Sequence, residues 1–583
     1  MNLENLTRIL AAAQGRVPFD LVVHNVRLLN VHTGEVLSTD VGVKDGYVSV
    51  VRPGLKEGMK RFNGRGLYLL PGFIDAHVHI ESTLLTPAAL AEAIVPHGTT
   101  TLMCDPMEIA NVAGLAGVLE FLTLARGLPY RIFLQVPSRV PTAPGLETTG
   151  GTLGLPEVRE LLSLPQALAL GELDPAKVLS PSEEHLAKVL EARRSGKVAC
   201  GHAAGLAGPE LSAYAAAGLA DDHECVTYDE LLARLRLGLA VMVREGSSER
   251  NLETLITGVV KENIDTHNLM FCTDDKHPLD ILREGHIDWC ISRAIELGLS
   301  PLAAVRMATL NPARHFRLER ALGAVAPGRW ADFVLTPKLK PIEPVHVFVD
   351  GQHVAAEGEL LSPPAPPAPP KAARHTVRLK RKLSREDFVL RAESDEVLVR
   401  VIELIPDQIV NRAGVAALSV YEGRAIPDLE EDVLPIACVE RYGASGNVAL
   451  AFVRGFGLRR GAIAGSVAHD HHNILVVGTT PEDMLTAVEA LAGSQGGFVV
   501  VEEGKILALL PLPLWGLMSD QDLTTVNREL EKVREAAREL GCPLATPFMA
   551  LSFLSLPTVP ELGLTDKGLV DVRAHRLIEV VLG

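Results

Sequence analysis

The sequence has few of the features that mark secreted, membrane or nucleic-acid-binding proteins. Its 583 residues include only seven cysteines, an odd number without a CxxC pair, which argues against a disulfide framework and for reduced thiols. Lys and Arg number 56 against 72 Asp and Glu, so the basic surface that nucleic acid requires is missing. No window approaches about 18 uninterrupted apolar residues, and the first residues lack the basic and apolar regions of a signal peptide. We therefore expect a cytoplasmic protein with no nucleic-acid or membrane partner.

The chain is also too long for a single hydrophobic core, and two separated stretches have the alternation of β-strands. One runs from Asp20 to Val51 and contains the hairpin-forming pair Asp45-Gly46. The other spans about 323–351. Because they flank a long middle segment, we predict one small β-sandwich domain built from both flanks. Its parts are residues 1–65, which begin with a helix, and residues 321–361.

The middle segment, residues 66–320, alternates short apolar runs with helical stretches. This alternation indicates a parallel sheet, and eight repeats over about 250 residues predict an α/β fold of the TIM-like (β/α)8 barrel type. In such barrels the catalytic groups lie at the carboxyl ends of the strands. The eight predicted strands end near His79, Asp105, Pro137, Glu172, His202, His223, Arg244 and Asp274.

The last part of the chain is separated from the barrel by a proline-rich stretch. Residues 362–379 contain Ser362-Pro363-Pro364-Ala365-Pro366-Pro367 and are predicted to be a linker. Residues 380–583 again mix apolar strand-like runs with helical patterns, including an amphipathic helix over 523–541. We predict a C-terminal α/β domain there.

Two histidines one residue apart end the first predicted barrel strand. Side chains alternate along a strand, so His77 and His79 lie on the same face while Val78 and Ile80 lie on the other. Paired imidazoles are typical ligands of a divalent metal. The alternative is a pair of strand histidines that merely form hydrogen bonds.

Other potential ligands recur at later strand ends. Glu172 follows an apolar run and could bridge two cations, although alone it would be read as an acid at a helix N-terminus. His202 and His223 each follow a strand and small residues, and singly each would be interpreted as a hydrogen-bonded core histidine. Together with His77 and His79 they predict a metal centre.

Adjacent carboxylates, Asp274 and Asp275, follow the eighth predicted strand. One aspartate there could contact a metal and accept a proton from metal-bound water, whose pKa a cation lowers from about 15.7 towards 7. The alternative is a solvated acidic turn.

This arrangement of His-x-His, an acid after strand four, histidines after strands five and six and an aspartate after strand eight resembles the amidohydrolase superfamily. Longer stretches are similar to the bacterial adenine deaminase family across nearly the whole chain. They are FIDAHVHIES at 73–82, HGTTT at 97–101, GHAAGLAG at 201–208, DHE at 222–224, TDDKHP at 273–278, FVRGFG at 452–457, SVAHDHHN at 466–473 and GLMSD at 516–520.

The resemblance implies an enzyme of purine salvage. It would convert adenine and water to hypoxanthine and ammonia, using a metal-bound hydroxide at a binuclear centre. Two divalent cations are implied, manganese in preference to iron or zinc, and a homo-oligomer is expected. By position, His77, His79 and Asp274 would hold one metal and His202 and His223 the other, with Glu172 between them; Asp274 would also move protons, and Glu224 and Asp275 would orient the purine.

The sequence departs from the family pattern at a few positions. Met107 stands where the family usually has histidine, Arg139 stands where it usually has cysteine, and the segment around Glu172 is atypical. We expect these differences to affect the preferred substrate or the rate of the reaction more than the fold. The run His469–Asn473 could be a second metal site, a wall of the purine pocket or a polar turn, and we interpret it as the turn.

Other functions remain as alternatives. One is an amidohydrolase acting on a modified 6-aminopurine or a cyclic amide. Cyclic-amide relatives usually carry a carboxylated lysine after strand four, and Lys177 lies too far past Glu172 for that role. Another is a catalytically inactive scaffold, which is disfavoured because all six metal-ligand positions are kept.

Overall fold

A computed structural model describes residues 2–56, 58–180, 183–365, 368–406, 408–559 and 561–582. The chain begins with helix α1, Leu3–Ala13, which the Asn2 side chain caps by accepting the Asn5 N–H. Asp45-Gly46 forms the predicted hairpin turn between the second and third strands. The first five strands are β1 (Phe19–Leu29), β2 (Val36–Lys44), β3 (Tyr47–Val51), β4 (Gly58–Asn63) and β5 (Tyr68–Pro71).

The middle of the chain forms the predicted eight-stranded barrel. Parallel pairing joins the first five barrel strands and, separately, the last three. The Ala220 N–H donates to the Ala199 carbonyl (2.9 Å) and links the two groups, and the Asp274 N–H donates to the His77 carbonyl (3.0 Å) and closes the ring. The strands are β6 (Phe73–Val78), β7 (Thr99–Cys104), β8 (Arg131–Val136), β9 (Ala167–Leu173), β10 (Val198–Gly201), β11 (Asp221–Asp222), β12 (Ala240–Arg244) and β13 (Leu269–Cys272).

Helices surround the barrel, and several begin with proline in the first turn, where its missing N–H costs nothing. They are α2 (Pro87–Ile94), α3 (Met107–Leu124), α4 (Leu155–Leu162), α5 (Pro175–Leu179), α6 (Glu183–Arg194), α7 (Gly208–Ala216), α8 (Tyr228–Arg236), α9 (Leu252–Lys261), α10 (Pro278–Glu284), α11 (Ile287–Glu296), α12 (Pro301–Met307) and α13 (Leu310–His315).

Helix α3 is long and apolar enough to cross a membrane by length and composition alone. In the structure it is 67% buried, and it is broken at Gly114, where φ is 61°. It therefore packs as a core helix of the barrel.

Strands from both sides of the barrel join in one nine-stranded sheet. β14 (Phe333–Thr336) pairs antiparallel with β5, and β15 (His346–Val349), β16 (Gln352–Ala356) and β17 (Glu359–Leu360) continue the sheet. Phe62 of β4 packs edge-on against Phe348 of β15, with ring centroids 5.2 Å apart. The sheet thus folds over on itself, which gives the predicted small β-domain from both flanks.

The C-terminal part is a second α/β unit. Pro366 and Pro367 of the predicted linker lie outside the described residues. A nine-stranded sheet contains β18 (Glu396–Leu404), β19 (Asn411–Tyr421), β20 (Arg424–Ala425), β21 (Val433–Val439), β22 (Val448–Arg454), β23 (Ala462–Gly465), β24 (Ile474–Gly478), β25 (Gly497–Glu502) and β26 (Lys505–Pro511). Helices α14 (Pro481–Ser494), α15 (Leu523–Glu539) and α16 (Pro547–Phe553) and the small sheet β27 (Leu562–Thr565), β28 (Gly568–Asp571) and β29 (Arg576–Ile578) complete it.

This C-terminal unit docks on the barrel through polar contacts. Thr148 of a barrel loop donates its N–H and hydroxyl to Asp566 (2.8 and 2.7 Å). Arg534 of α15 donates two hydrogen bonds to the carboxylate of Asp280 in α10 (3.1 and 3.0 Å). The carboxyl ends of the barrel strands are therefore covered by protein.

Candidate metal centre

All six predicted ligand side chains meet at the carboxyl end of the barrel, and each is at most 6% exposed. The Glu172 carboxylate lies at the centre of the group. Its Oε2 is 3.0 Å from His223 Nε2, 3.4 Å from His202 Nδ1 and 3.6 Å from His77 Nε2. Parallel strands that end at the same edge account for this convergence of residues far apart in sequence.

Asp274 lies against the His-x-His pair. Its Oδ1 is 3.6 Å from His77 Nε2 and 3.5 Å from His79 Nε2. The backbone of Asp274 has φ of 56°, in the left-handed region that aspartate tolerates better than most residues. This turn, fixed by the closing hydrogen bond to His77, directs the carboxylate back over the barrel.

The donor atoms of the first strand fit a divalent cation. His77 Nδ1 lies 2.6 Å from Gln135 Oε1 and His79 Nδ1 lies 2.8 Å from the Asp105 carbonyl, so both Nδ1 atoms carry the hydrogen. The Nε2 atoms of both rings then face the carboxylates, and His77 Nε2 has no hydrogen-bond partner. Burial and the neighbouring His223 lower the pKa of His77 to about 4, which keeps it neutral. Metal-binding histidines are commonly oriented in this way.

The potential ligands form overlapping groups with nitrogen and oxygen atoms within 4.8 Å of one another. One group is His77, His79 and Asp274, and a second is His77, Glu172 and His223. A third group is His202, His223 and Glu224. Glu224, which is predicted to orient the purine, therefore lies beside these two histidines. The three groups overlap at His77 and His223.

Arg244, at the end of β12, is a site residue that the sequence analysis missed. Its Nη1 lies 2.6 Å from Glu224 Oε1 and 2.8 Å from Asp274 Oδ2. Burial opposes ionisation of Asp274, but His223 and Arg244 lower the pKa of its carboxyl below the usual value. Arg244 therefore holds two predicted catalytic groups. Gln135 was likewise missed, and the available signal was an uncharged polar side chain at a buried position between Leu134 and Val136 of β8.

Asp275 faces the same space but has different partners. The Ser82 hydroxyl lies within hydrogen-bond distance of both Asp275 and Glu108. Burial and the adjacent Asp274 raise the pKa of Asp275. Asp275 is therefore part of a buried acidic cluster beside the metal ligands.

Arg139 connects Glu172, a predicted metal ligand of the barrel, to the C-terminal unit. Its guanidinium donates to Glu172 Oε1 and, over 2.7 Å, to Asp470 Oδ2, and it lies 3.9 Å from Asp174. Burial opposes ionisation of Glu172, but Arg139 and then His202 hold the pKa of its carboxyl well below the usual range. Two of the departures from the family pattern, at Arg139 and around Glu172, thus lie together in space.

A small cavity of about 30 Å³ lies beside these side chains and is lined by both parts of the chain. The barrel contributes the metal-centre side chains and Met107, and the C-terminal unit contributes Ile409, His469, Phe553 and others. The His469 ring stacks on Phe553 with centroids 5.2 Å apart and an interplanar angle of 29°. The cavity therefore has a polar floor and partly apolar walls, as small-molecule sites usually do.

The run His469–Asn473 has two of its possible roles, the polar turn and a wall of the cavity. His471 and Asn473 form the predicted polar turn, because the Asn473 N–H donates to His471 Nδ1 over 3.0 Å. His469 and Asp470 belong to the same turn and also line the cavity, so the predicted turn is at the same time a wall of the cavity. The contact between the C-terminal unit and the barrel brings these two residues to the cavity, and no local sequence pattern indicates that contact.

His472 also lies near Glu108 and His469, and these three form another group of potential ligands. However, His472 Nδ1 accepts the Ala468 N–H over 3.2 Å, so its Nε2 carries the ring hydrogen. A protonated nitrogen offers no lone pair, and the group therefore suits hydrogen bonding better than metal binding.

The sequence matches the amidohydrolase family over residues 68–354 and the adenine deaminase C-terminal domain over residues 408–576. An adenine deaminase of Desulforamulus reducens is 50% identical over 582 residues, covering 100% of this chain and 99% of the relative. Those of Methanothrix thermoacetophila and Moorella thermoacetica are 43% and 39% identical, with at least 98% of each chain covered. The chain belongs to the adenine deaminase family.

For this adenine deaminase family member, one feature separates the site from the cyclic-amide alternative. Lys177 Nζ lies 3.2 Å from Asp174 Oδ2 in the turn that begins α5. It is engaged there, beyond the end of β9, and Glu172 holds the central position. The presence of all six predicted ligands and their convergence also distinguish the site from an inactive scaffold.

Proposed function

We propose that this protein deaminates adenine hydrolytically, giving hypoxanthine and ammonia in purine salvage. The observation that carries the proposal is the convergence of His77, His79, His202 and His223 on the Glu172 carboxylate, with Asp274 against the first two histidines. Its setting in a chain related over its full length to proteins named adenine deaminase supports the choice of substrate.

The chain's own residues supply a place for two divalent cations. His77, His79 and Asp274 would hold one cation, His202 and His223 the other, and Glu172 would lie between them. When bound, such cations lower the pKa of a coordinated water and supply a nucleophile at neutral pH. Imidazole and carboxylate ligands suit manganese, iron and zinc, and we propose manganese as the preferred ion.

Asp274 is the proposed proton carrier. Its Oδ1 faces the His-x-His pair, while Oδ2 is held by Arg244 and the carboxyl is kept ionised. An ionised carboxylate at this position would accept a proton as water adds to C6 of the purine. It would then return the proton to the departing 6-amino group, which leaves as ammonia.

Glu224 and Asp275 are the proposed orienting residues, and both line the cavity. Glu224 is fixed by Arg244 through both of its oxygens (2.6 and 3.2 Å), so it presents a fixed acceptor to a ring nitrogen or the amino group. Met107 and Phe553 give apolar surfaces for the faces of the planar base.

We also propose the wider context. The chain would divide into five parts, with boundaries at residues 65, 320, 361 and 379. The protein would be cytoplasmic and form a homo-oligomer, without nucleic-acid or membrane partners. Seven free cysteines, all buried, and a net charge of −16 support them.

Incubation of the purified full-length protein with manganese and adenine tests the proposal. We expect stoichiometric hypoxanthine and ammonia from the wild type, and loss of both products in His77→Ala and Asp274→Asn. A metal-loaded wild-type protein that leaves adenine unchanged would overturn the substrate assignment.

A further inference from the structure

We infer that Arg139 is a positioning residue that ties Glu172 to Asp470, so that retention of the metals depends on this one contact of the C-terminal domain. The inference rests on the proposed metal-dependent function and deepens it. It concerns the holding of the metal centre and not the identity of the substrate.

The geometry joins the two domains through one guanidinium. Arg139 follows β8 in the barrel, and Asp470 lies 331 positions later, in the C-terminal domain. Arg139 donates from Nη2 to Glu172 and from Nη1 to Asp470. The three side chains are all buried, at 2–3% exposure, so the pairs are not screened by solvent.

The contact decides which oxygen of Glu172 faces the histidines. Arg139 binds Oε1, which also lies 3.9 Å from Nε2 of His79. Oε2 lies closer to three others, at 3.0 Å from His223, 3.4 Å from His202 and 3.6 Å from His77. This charge-assisted hydrogen bond restrains Oε1 and with it the orientation of the carboxylate. Arg139 thereby presents Oε2 to the metal space.

Asp470 in turn fixes Arg139. Asp470 and Glu172 bind different nitrogens of the guanidinium, and Asp174 lies 3.9 Å from Nη1. Removing the Asp470 charge leaves a buried cation with weaker restraint on one side. Removing Arg139 leaves Glu172 and Asp470 without the cation that lies between them. Both changes free the Glu172 carboxylate to rotate.

The chain offers a matched control. Arg534 and Asp280 form a second buried ion pair between the C-terminal domain and the barrel (3.1 and 3.0 Å). Neither residue lies in the cavity beside the metal ligands. Asp280→Asn is therefore the same chemical change as Asp470→Asn at the same domain interface, away from Glu172.

The test uses full-length protein loaded with Co2+, whose visible spectrum reports the ligand geometry. Release of Co2+ to an excess of chelator is measured for wild type, Arg139→Met, Arg139→Lys, Asp470→Asn and Asp280→Asn, with thermal melting as a check of folding. We expect release about 10- to 100-fold faster in Arg139→Met and Asp470→Asn, with an altered spectrum, and a smaller effect in Arg139→Lys. Asp280→Asn should release Co2+ at the wild-type rate.

Wild-type release rates in both Arg139→Met and Asp470→Asn would overturn the inference. Equally fast release of Co2+ from Asp280→Asn would overturn it too, because a general loosening of the contact between the two domains would then explain the loss of metal. A wild-type protein that holds Co2+ but does not deaminate adenine would contradict the proposed function and leave this result unaffected.

Discussion

Arg244 donates a 2.8 Å hydrogen bond to the Oδ2 oxygen of Asp274, the oxygen that points away from the His-x-His pair. The other carboxylate oxygen is thereby left for the metal space and for proton transfer. Because Arg244 is almost completely buried, water cannot take the place of its interaction with Asp274 if the ion pair is broken.

Replacing Arg244 with methionine should therefore impair catalysis more than binding. We expect kcat for adenine to fall about 100-fold, because Asp274 and Glu224 lose the group that orients them. The free energy of unfolding should also fall, by about 3–5 kcal/mol. Arg131→Met, which breaks a partly buried pair with Asp332 outside the site, is the control and should destabilise without a comparable loss of kcat. Unchanged turnover in Arg244→Met would contradict a positioning role.

Gln135 should set the metal affinity through His77. Gln135→Leu removes the 2.6 Å partner of His77 Nδ1 and leaves the ring free to change its tautomer and orientation. We expect affinity for Mn2+ to fall 10- to 100-fold, measured by competition with a chelator. The exposed Gln521→Leu is the matched substitution and should bind as the wild type does. An unaltered affinity in Gln135→Leu would exclude this orienting role.

Much of this architecture could be predicted from the sequence, because each barrel strand is a short apolar run followed by a polar residue. The eight strand ends and the convergence of His77 with Asp274 follow from that periodicity and from the closure of a barrel. Arg244 was predicted as a strand end, but its pairing with two acids depends on neighbouring strands. Asp470 reaches Arg139 only through domain docking, which no local pattern encodes.

Glu249 should make stability depend on pH. Burial raises the pKa of its carboxyl from 4.5 to about 8, so the folded protein keeps the proton where the unfolded chain has lost it. The stabilisation is complete below about pH 4.5 and is lost as pH rises to about 8. Relative to Glu249→Gln, the wild-type unfolding free energy should fall by about 1.4 kcal/mol per pH unit across that range. Denaturant titrations at several pH values measure the slope, and a flat difference would contradict it.

Gly171 should be intolerant of a side chain. A Cβ at Gly171, next to Glu172 on β9, would lie 2.0 Å from Asp105 Oδ2 and 2.9 Å from the Val136 carbonyl. We expect Gly171→Ala to lower the free energy of unfolding by about 1–3 kcal/mol and to weaken metal binding. Gly493→Ala, in helix α14 with no atom near its Cβ position, should instead stabilise by up to about 1 kcal/mol. Urea denaturation compares the two, and equal effects would contradict the steric argument.

The most direct test of the central claim is an activity titration of metal-free protein with Mn2+, following hypoxanthine formation from adenine. Two cations sharing Glu172 predict that turnover rises until about two equivalents per chain are bound and then stays constant. His77→Ala and His223→Ala should remain inactive at the same metal concentrations. Full activity at one equivalent, or no hypoxanthine at any metal concentration, would contradict the account.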